Sequence, residues 1–299
     1  MPISNNVIEL AERYLPILDE IYKREALTTD LDQTVVRFIN AKTVQIFMIN
    51  MNGLANYDRN GGFTQGNVNA SWQPYELKQD RGTTFMIDSM DNDETINMTF
   101  ANTVGQFLRN KVVPELDAYR FAKYADKAGS KDTGDLTSSN IVGKIDGAIA
   151  EMDEKEVPSE GRILYITPTK YTLLKQIAGI TRFATMTDRQ LNRDFEVFDS
   201  MRVRKIPQRR FYTDIEIKDI PEGATGTDDG GFDNAGEAIN FMIIHPSATF
   251  QVNKHAVLRI YTPRENLFAD AWKIDYRIYH DAFAYLNKTN GIYMHSEEP

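Results

Sequence analysis

The stretch Asn56–Arg81 reads NYDRNGGFTQGNVNASWQPYELKQDR. The Gly61–Gly62 pair and Gly66–Asn67 are strong turn signals. Just before it, AKTVQIFMINM (Ala41–Met51) is dense enough in β-branched and apolar residues for a half-buried strand. From Tyr75 the chain alternates, with Tyr75, Leu77, Gln79, Arg81, Thr83, Phe85 and Ile87 on one side and polar residues dominating the other. That is the period of a strand. Residues 54–88 are therefore expected to form a long two-stranded excursion with a loose tip. Such a ribbon offers no evident place to bury Phe63, Trp72 and Tyr75.

Upstream, Val7, Leu10, Ala11, Tyr14, Leu15, Leu18, Ile21 and Tyr22 share one helical face, with Pro16 kinking or splitting the pattern. This helix either docks on its own core or lies as an arm on a neighbouring subunit. Downstream, Asp91, Asp93 and Glu94 crowd the start of a helical pattern carried by Ile96, Phe100, Val104, Phe107, Leu108 and Val112. Pro114 interrupts it and Leu116, Tyr119 and Ala122 resume it. We read one kinked helix from about 93 to 127, on the order of 50 Å long. The alternative is a second helix with Pro114 at its first position. Residues 129–140 read as a loop, 141–155 as an amphipathic helix, 162–166 as a short buried strand and 167–177 as a Pro-started helix. The polar stretch 178–194 reads as irregular, 195–206 as strand material and the acidic, glycine-rich 219–236 as a loop. Residues 238–244, 256–261 and 272–279 supply three further strands. Mixed α+β is the class.

At 299 residues and 41% hydrophobic composition the chain can bury a sizeable core. No apolar run approaches the roughly 20 residues of a membrane span, so no membrane partner is expected. The 34 Lys and Arg against 43 Asp and Glu leave a net charge of −9, which opposes broad binding to nucleic acid. The absence of cysteine removes disulfides, zinc fingers, iron–sulfur clusters and thiol nucleophiles together. The opening MPISNNVIEL has neither a basic nor an apolar leader region, so cytosolic synthesis is expected.

Catalytic patterns are missing as well. His245, His255, His280 and His295 lack metal-ligand spacing. There is no GxSxG elbow and no phosphate-binding glycine loop. Asp228, Asp229, Asp233 and Glu237 fail as a calcium loop, because the third and fifth positions from Asp228 are Gly230 and Phe232. No enzymatic activity, metal or cofactor is expected. A hydrolase would need a site assembled from distant residues, with His245 or His280 beside acids in a deep pocket.

The run GLANYDRNGGFTQGNVNASWQPYELKQDRGTTFMIDSMDNDET (Gly53–Thr95) resembles the extended-loop segment of tailed-bacteriophage major capsid proteins, the Hong Kong 97-type fold. AKTVQI before it and VVPELDAYRFAKYA (Val112–Ala125) are similar to the strand entering that loop and the spine helix leaving it. IPQRRFYT (206–213) and HDAFAYLNKTNGIY (280–293) resemble later segments of the family. The resemblance implies an N-terminal arm (1–40), a peripheral unit of strand, extended loop (54–88) and spine helix (41–136), an axial domain near 137–240 and late strands returning to the peripheral domain (241–299). It implies an extended loop lying on the neighbouring subunit, anchored by Tyr57, Arg59, Phe63, Trp72, Tyr75 and Arg81. The spine helix would carry Phe100, Phe107, Pro114 and Tyr119. Asp228, Asp229 and Asp233 would lie in a loop lining the capsomer axis. The implied function is a coat protein assembling, in the host cytoplasm, into pentamers and hexamers of an icosahedral virion. Scaffolding protein and portal are its implied partners, with packaged double-stranded DNA bound weakly. Some relatives crosslink through a lysine in this loop, where Lys78 stands. An encapsulin-like nanocompartment shell is the alternative of the same fold.

Overall fold

The computed structural model describes residues 26–31, 37–40, 42–57, 59, 63, 65–90, 105–176, 183–188, 193–219 and 230–298. The expected helix over 7–22, the acids at 91–94, Phe100, Gly61–Gly62, Asp228 and Asp229 lie outside them.

The chain runs β1 (Arg37–Phe38), β2 (Thr43–Met51), β3 (Val68–Glu76) and β4 (Gln79–Asp88), then a helical segment ending in α1 (Val113–Asp126). There follow β5 (Ser130–Thr133), α2 (Ile141–Glu154), β6 (Ile163–Ile166), α3 (Pro168–Lys175), β7 (Phe183–Asp188), β8 (Arg193–Phe198), β9 (Met201–Lys205) and β10 (Tyr212–Lys218). The last strands are β11 (Gly231–Ile244), β12 (Thr249–Tyr261), β13 (Ala271–Ala284) and β14 (Ile292–Ser296). Among the described residues the strands form three sheets: β1-β2-β3; β12-β13-β4; and an eight-stranded sheet ordered β5-β14-β11-β6-β9-β8-β7, with β10 paired to β11.

The large sheet is a middle layer buried on both faces. Every residue of β6, ILYI, is buried, as a strand covered on both sides requires. Because side chains alternate across a strand, Ile163 and Tyr165 join Phe121 and Tyr124 of α1 in one core. Leu164 and Ile166 join Ile141, Ile145 and Met152 of α2 and Leu174 of α3 in the other. The β12-β13-β4 sheet packs Leu258, Ile260 and Ile274 on Leu108 in a third core.

Pro114 is accommodated inside one continuous helical run. Residues 105–107 are α-helical, Leu108–Val112 form a π-helical segment, and α1 follows with proline in its first turn. The Val113 N–H donates to the Leu108 carbonyl, five residues back. Proline brings no N–H to the Asn110 carbonyl, and the wider π turn changes register at that point.

Several expectations are corrected. The strand after Tyr75 is not the second half of the ribbon. It breaks at Leu77–Lys78, and β4 pairs with β13, from Gln79↔His280 to Asp88↔Ala271. The ribbon is instead β2 against β3. The loop at 129–140 contains β5, paired in parallel with β14. The stretch 178–194 contains β7 and the start of β8, which pair with each other. Residues 195–206 hold two strands, reversed at Asp199 (φ 48°) and Ser200 (φ 67°). Two central residues with positive φ match the twist of a tight hairpin. The acidic loop ends early, since Asp233 lies in β11 and pairs with Lys218 of β10.

A buried polar knot fastens residues 26–31 to the body. Asp117 of α1, fully buried, accepts from the Leu27 N–H (3.1 Å), the Thr28 N–H (3.3 Å) and hydroxyl (2.8 Å), and Arg210 (3.3 Å). Arg120, also buried, donates to the Thr28 hydroxyl (3.0 Å) and to Asn253 of β12 (3.2 Å). Burial pushes the Asp117 carboxyl up, against the hydrogen bonds and the two arginines that pull it down. Asp117→Ala strips these donors of their acceptor, and breaking a buried pair from one side costs about 3–5 kcal/mol. The midpoint of urea unfolding is expected to fall accordingly; a change under about 0.5 kcal/mol means that the knot carries no weight.

Candidate intersubunit surface

The ribbon is welded at its root and bare beyond it. At the root, the Leu77 N–H donates to the Lys42 carbonyl at 2.8 Å. Leu77 and Val44 are buried with Phe250 and Val252 of β12. Tyr75 packs against both Phe250 and Phe283, with ring centroids 5.2 Å away in each case. The exit of the ribbon is held by Asp281 of β13. Its carboxylate accepts from the Lys78 N–H (2.8 Å), the Ala282 N–H (2.8 Å) and the Tyr119 hydroxyl of α1 (2.9 Å). Burial raises the Asp281 carboxyl, and burial beside that carboxylate raises the Tyr119 phenol. The Tyr279 hydroxyl adds a bond to the Leu77 carbonyl at 3.0 Å.

Outward from the root, β2 and β3 pair through Phe47↔Trp72, Ile49↔Ala70 and Met51↔Val68. Directly opposed residues share a face, so Phe47, Trp72, Ile49, Met51 and Val68 form one apolar surface. They remain 47%, 45%, 48%, 72% and 60% exposed. The Trp72 and Phe47 rings pack at a tilt, with centroids 5.2 Å apart. At the tip Phe63 meets Tyr57 at 5.0 Å, and both stay exposed. Ten of the fifteen large apolar side chains exposed among the described residues lie between Phe38 and Trp72. Concentration on one projecting element marks an interaction surface, since soluble chains scatter such residues singly.

The six anchors expected from sequence therefore divide. Tyr57, Phe63 and Trp72 are exposed and aromatic, and Arg59 is exposed beside them. Tyr75 faces inward and packs against the core at the root. The Arg81 guanidinium pairs with Glu115 (2.8 Å) and Asp219 (2.7 Å) of its own chain. Phe107, beside the π turn, contacts Phe85 and Tyr276 at 4.8 and 5.7 Å, and Tyr119 serves the root. Sequence reasoning missed Phe47, Ile49 and Met51. Their alternation within AKTVQIFMINM was visible, but nothing there said which face would lie bare.

His245 bonds Ser247 (2.7 Å) and the Glu160 carbonyl (3.0 Å), the pattern of a turn. His280 is buried, and its pKa is pushed down to about 3 by burial and by the nearby Arg120 charge. Neither histidine lines the cavities that open beside Tyr119 and beside Lys78. Among the described residues no group of three or more His, Asp or Glu is placed to hold a metal ion, and no helix is long and apolar enough to cross a membrane.

No family model and no curated protein matches the chain. Solved structures do. The capsid of the Cyanophage P-SCSP1u superposes with a TM-score of 0.61 at 13% identity, over 91% of this chain and 88% of that one. The mature capsid of bacteriophage PhiM1 gives 0.60 at 12% identity, over 86% and 82%. The encapsulin of Synechococcus elongatus gives 0.51 at 9% identity, over 86% and 82%. The chain has the fold of tailed-phage major capsid proteins.

Two measurements test the division of the ribbon into root and free face. Tyr75→Ala is expected to destabilise the unassembled chain by roughly 2–4 kcal/mol, and Trp72→Ala by about 1 kcal/mol or less. Equal losses in urea titrations contradict the assignment. For His280, the unfolded chain protonates near the ordinary 6.5, whereas the folded chain refuses the proton until about 3. Its stabilising contribution is therefore complete above 6.5 and is lost as pH falls through that window, at about 1.4 kcal/mol per pH unit. In NMR titrations its ring signals should not move above pH 4; a midpoint near 6 removes it from the buried root.

Proposed function

We propose that this chain is the major capsid protein of a tailed bacteriophage, assembling with copies of itself into an icosahedral head around double-stranded DNA. The observation that carries the reading is the bare apolar face of the β2–β3 ribbon on a chain of capsid fold. A two-stranded ribbon is marginal in water by itself. Here its root is tied down and its outer face is left for a partner. The supply of identical partners makes a second copy the economical one, and repeated heterologous contacts close into rings and shells.

In this reading residues 1–40 act as an arm. The ribbon, residues 43–76 with its tip at 52–67, acts as the extended loop. The spine helix and the β12-β13-β4 sheet form the peripheral domain, and about 137–240 form most of the axial domain. Asp233 and the segment before it lie toward the capsomer axis. Pentamers and hexamers, a scaffolding protein and a portal are the partners, and the virion is the location. The excess of acid over base, −9 in all, suits a wall that lets DNA move past it, because phosphate affinity comes from cation density. Lys78 stands at the root, where covalent joining of copies is a further possibility of the family.

An encapsulin-like shell is the second reading, favoured by the Synechococcus likeness. The phage capsids superpose better, at 0.61 and 0.60 against 0.51.

Electron microscopy of the purified chain, with and without a co-expressed scaffold, is the direct test; closed shells are expected in at least one condition. Phe63→Asp with Trp72→Asp should leave a folded subunit that no longer forms them. A doubly substituted chain that assembles as well as the parent overturns the role of the ribbon. A parent that never exceeds a few chains overturns the function.

A further inference from the structure

Arg81 sits on β4, five residues beyond the end of the ribbon, yet most of its bonds reach elsewhere. Its Nε donates to Glu115 at the start of α1 (2.8 Å) and its Nη1 to Asp219 (2.7 Å). Its Nη2 donates to the Lys218 carbonyl (2.9 Å) and the Gly231 carbonyl (3.4 Å). Lys218 and Gly231 are the last paired residues of the β10–β11 hairpin. One guanidinium thus closes the rung from which the segment 219–230 departs, and joins it to β4 and to the helix.

The hairpin it closes is an overhang. The inner half of β11 pairs with β6 and β14 from about Ile239 to Ile244 inside the large sheet. The outer part of β11, from Gly231 to Glu237, has β10 as its ladder partner, while the Ala238 carbonyl accepts from the Glu297 N–H (2.8 Å). Between the two halves the ladder is irregular. The register shifts between Tyr212 and Asp214. Opposite that shift Gly236 has φ +68°, and a Cβ there would meet the Thr213 hydroxyl at 2.4 Å. A bulge that contains a left-handed glycine is where a strand pair bends. Beneath the overhang, between β10 and α1, lies a cavity of about 480 Å³ lined in part by Tyr119, Lys123, Ile215 and Ile217. The outer hairpin is therefore bent at one end, rests along α1 over this cavity with Phe232 buried near its far end, and is pinned at that end by Arg81.

We propose that the outer β10–β11 hairpin is a hinged strap and that Arg81 is its latch, fixing where the chain presents the 219–230 segment. Arginine is required because the four acceptors come from three separate segments. Its planar fork meets them simultaneously, whereas an ammonium carries the charge on a single atom. Since β4 is continuous with the ribbon root through Leu77–Lys78, the latch also joins two projecting parts of the subunit. The proposal concerns one chain and does not depend on assembly.

Hydrogen exchange on the purified, unassembled chain tests it. Arg81→Gln is expected to speed exchange of the amides in 212–218 and 231–238 by about tenfold or more, the signature of a local opening. Amides of 241–244 and 163–166 should keep their rates. Arg81→Lys should behave like Arg81→Gln, because charge alone does not close the rung, and Glu115→Gln should give a smaller acceleration in the same segments. Unchanged rates in Arg81→Gln, full rescue by Arg81→Lys, or acceleration spread evenly over all the strands would each overturn the latch.

Discussion

The carboxylate of Asp281 is the point through which the projecting part of the molecule is tied to its body. It receives a backbone donor from the ribbon exit, a backbone donor from its own strand and the Tyr119 phenol of α1. Three elements from distant parts of the sequence are thereby fixed within a few ångströms. Without a rigid root, a ribbon of two strands and a short β1 would have no set direction, and a surface without direction cannot specify a contact. The apolar packing of Leu77, Val44, Phe250 and Val252 supplies the bulk of the attachment. The hydrogen bonds set its angle, since buried polar groups tolerate few alternative partners.

Much of this was legible in the residues. The buried strand ILYI, the amphipathic helix before it, the Pro-started helix after it and the three late strands follow from apolar runs, periodicity and the proline. The capsid fold was readable from YDR, GGF, QDRG and DAYR taken together, although no one of these runs would suffice. Pairing was not legible. The alternation from Tyr75 to Ile87 correctly indicates a strand, but a strand pattern says nothing about which neighbour completes it. β4 joined β13, almost 200 residues later, rather than β3. The hairpin at Asp199–Ser200 was missed because neither residue is glycine or asparagine, the usual occupants of positive φ. β10 was missed because TDIEIK is short and highly charged, though its isoleucines alternate.

The candidate surface divides along the same line. Aromatic content marked Tyr57, Phe63, Trp72 and Tyr75 alike, and only three-dimensional packing separates the inward Tyr75 from the other three. Arg81 looked like an interface anchor because arginine often is one. Its acceptors lie on segments far away in sequence, which no local reading could pair with it. The faces of β2 divide in the same way. Val44 and Met48 are covered, while Phe47, Ile49 and Met51, one step out of phase, are not. A single-residue register shift would exchange the two sets.

The bare face of the ribbon also sets a clock on the newly made chain. Apolar side chains open to water, next to an unpaired strand edge, bind indiscriminately at high concentration. Encounters that lead to disordered clumps rise with the same concentration that drives productive ones. In the proposed capsid reading the free subunit is therefore a perishable intermediate, and its yield depends on how fast a correctly oriented copy arrives relative to a wrongly oriented one.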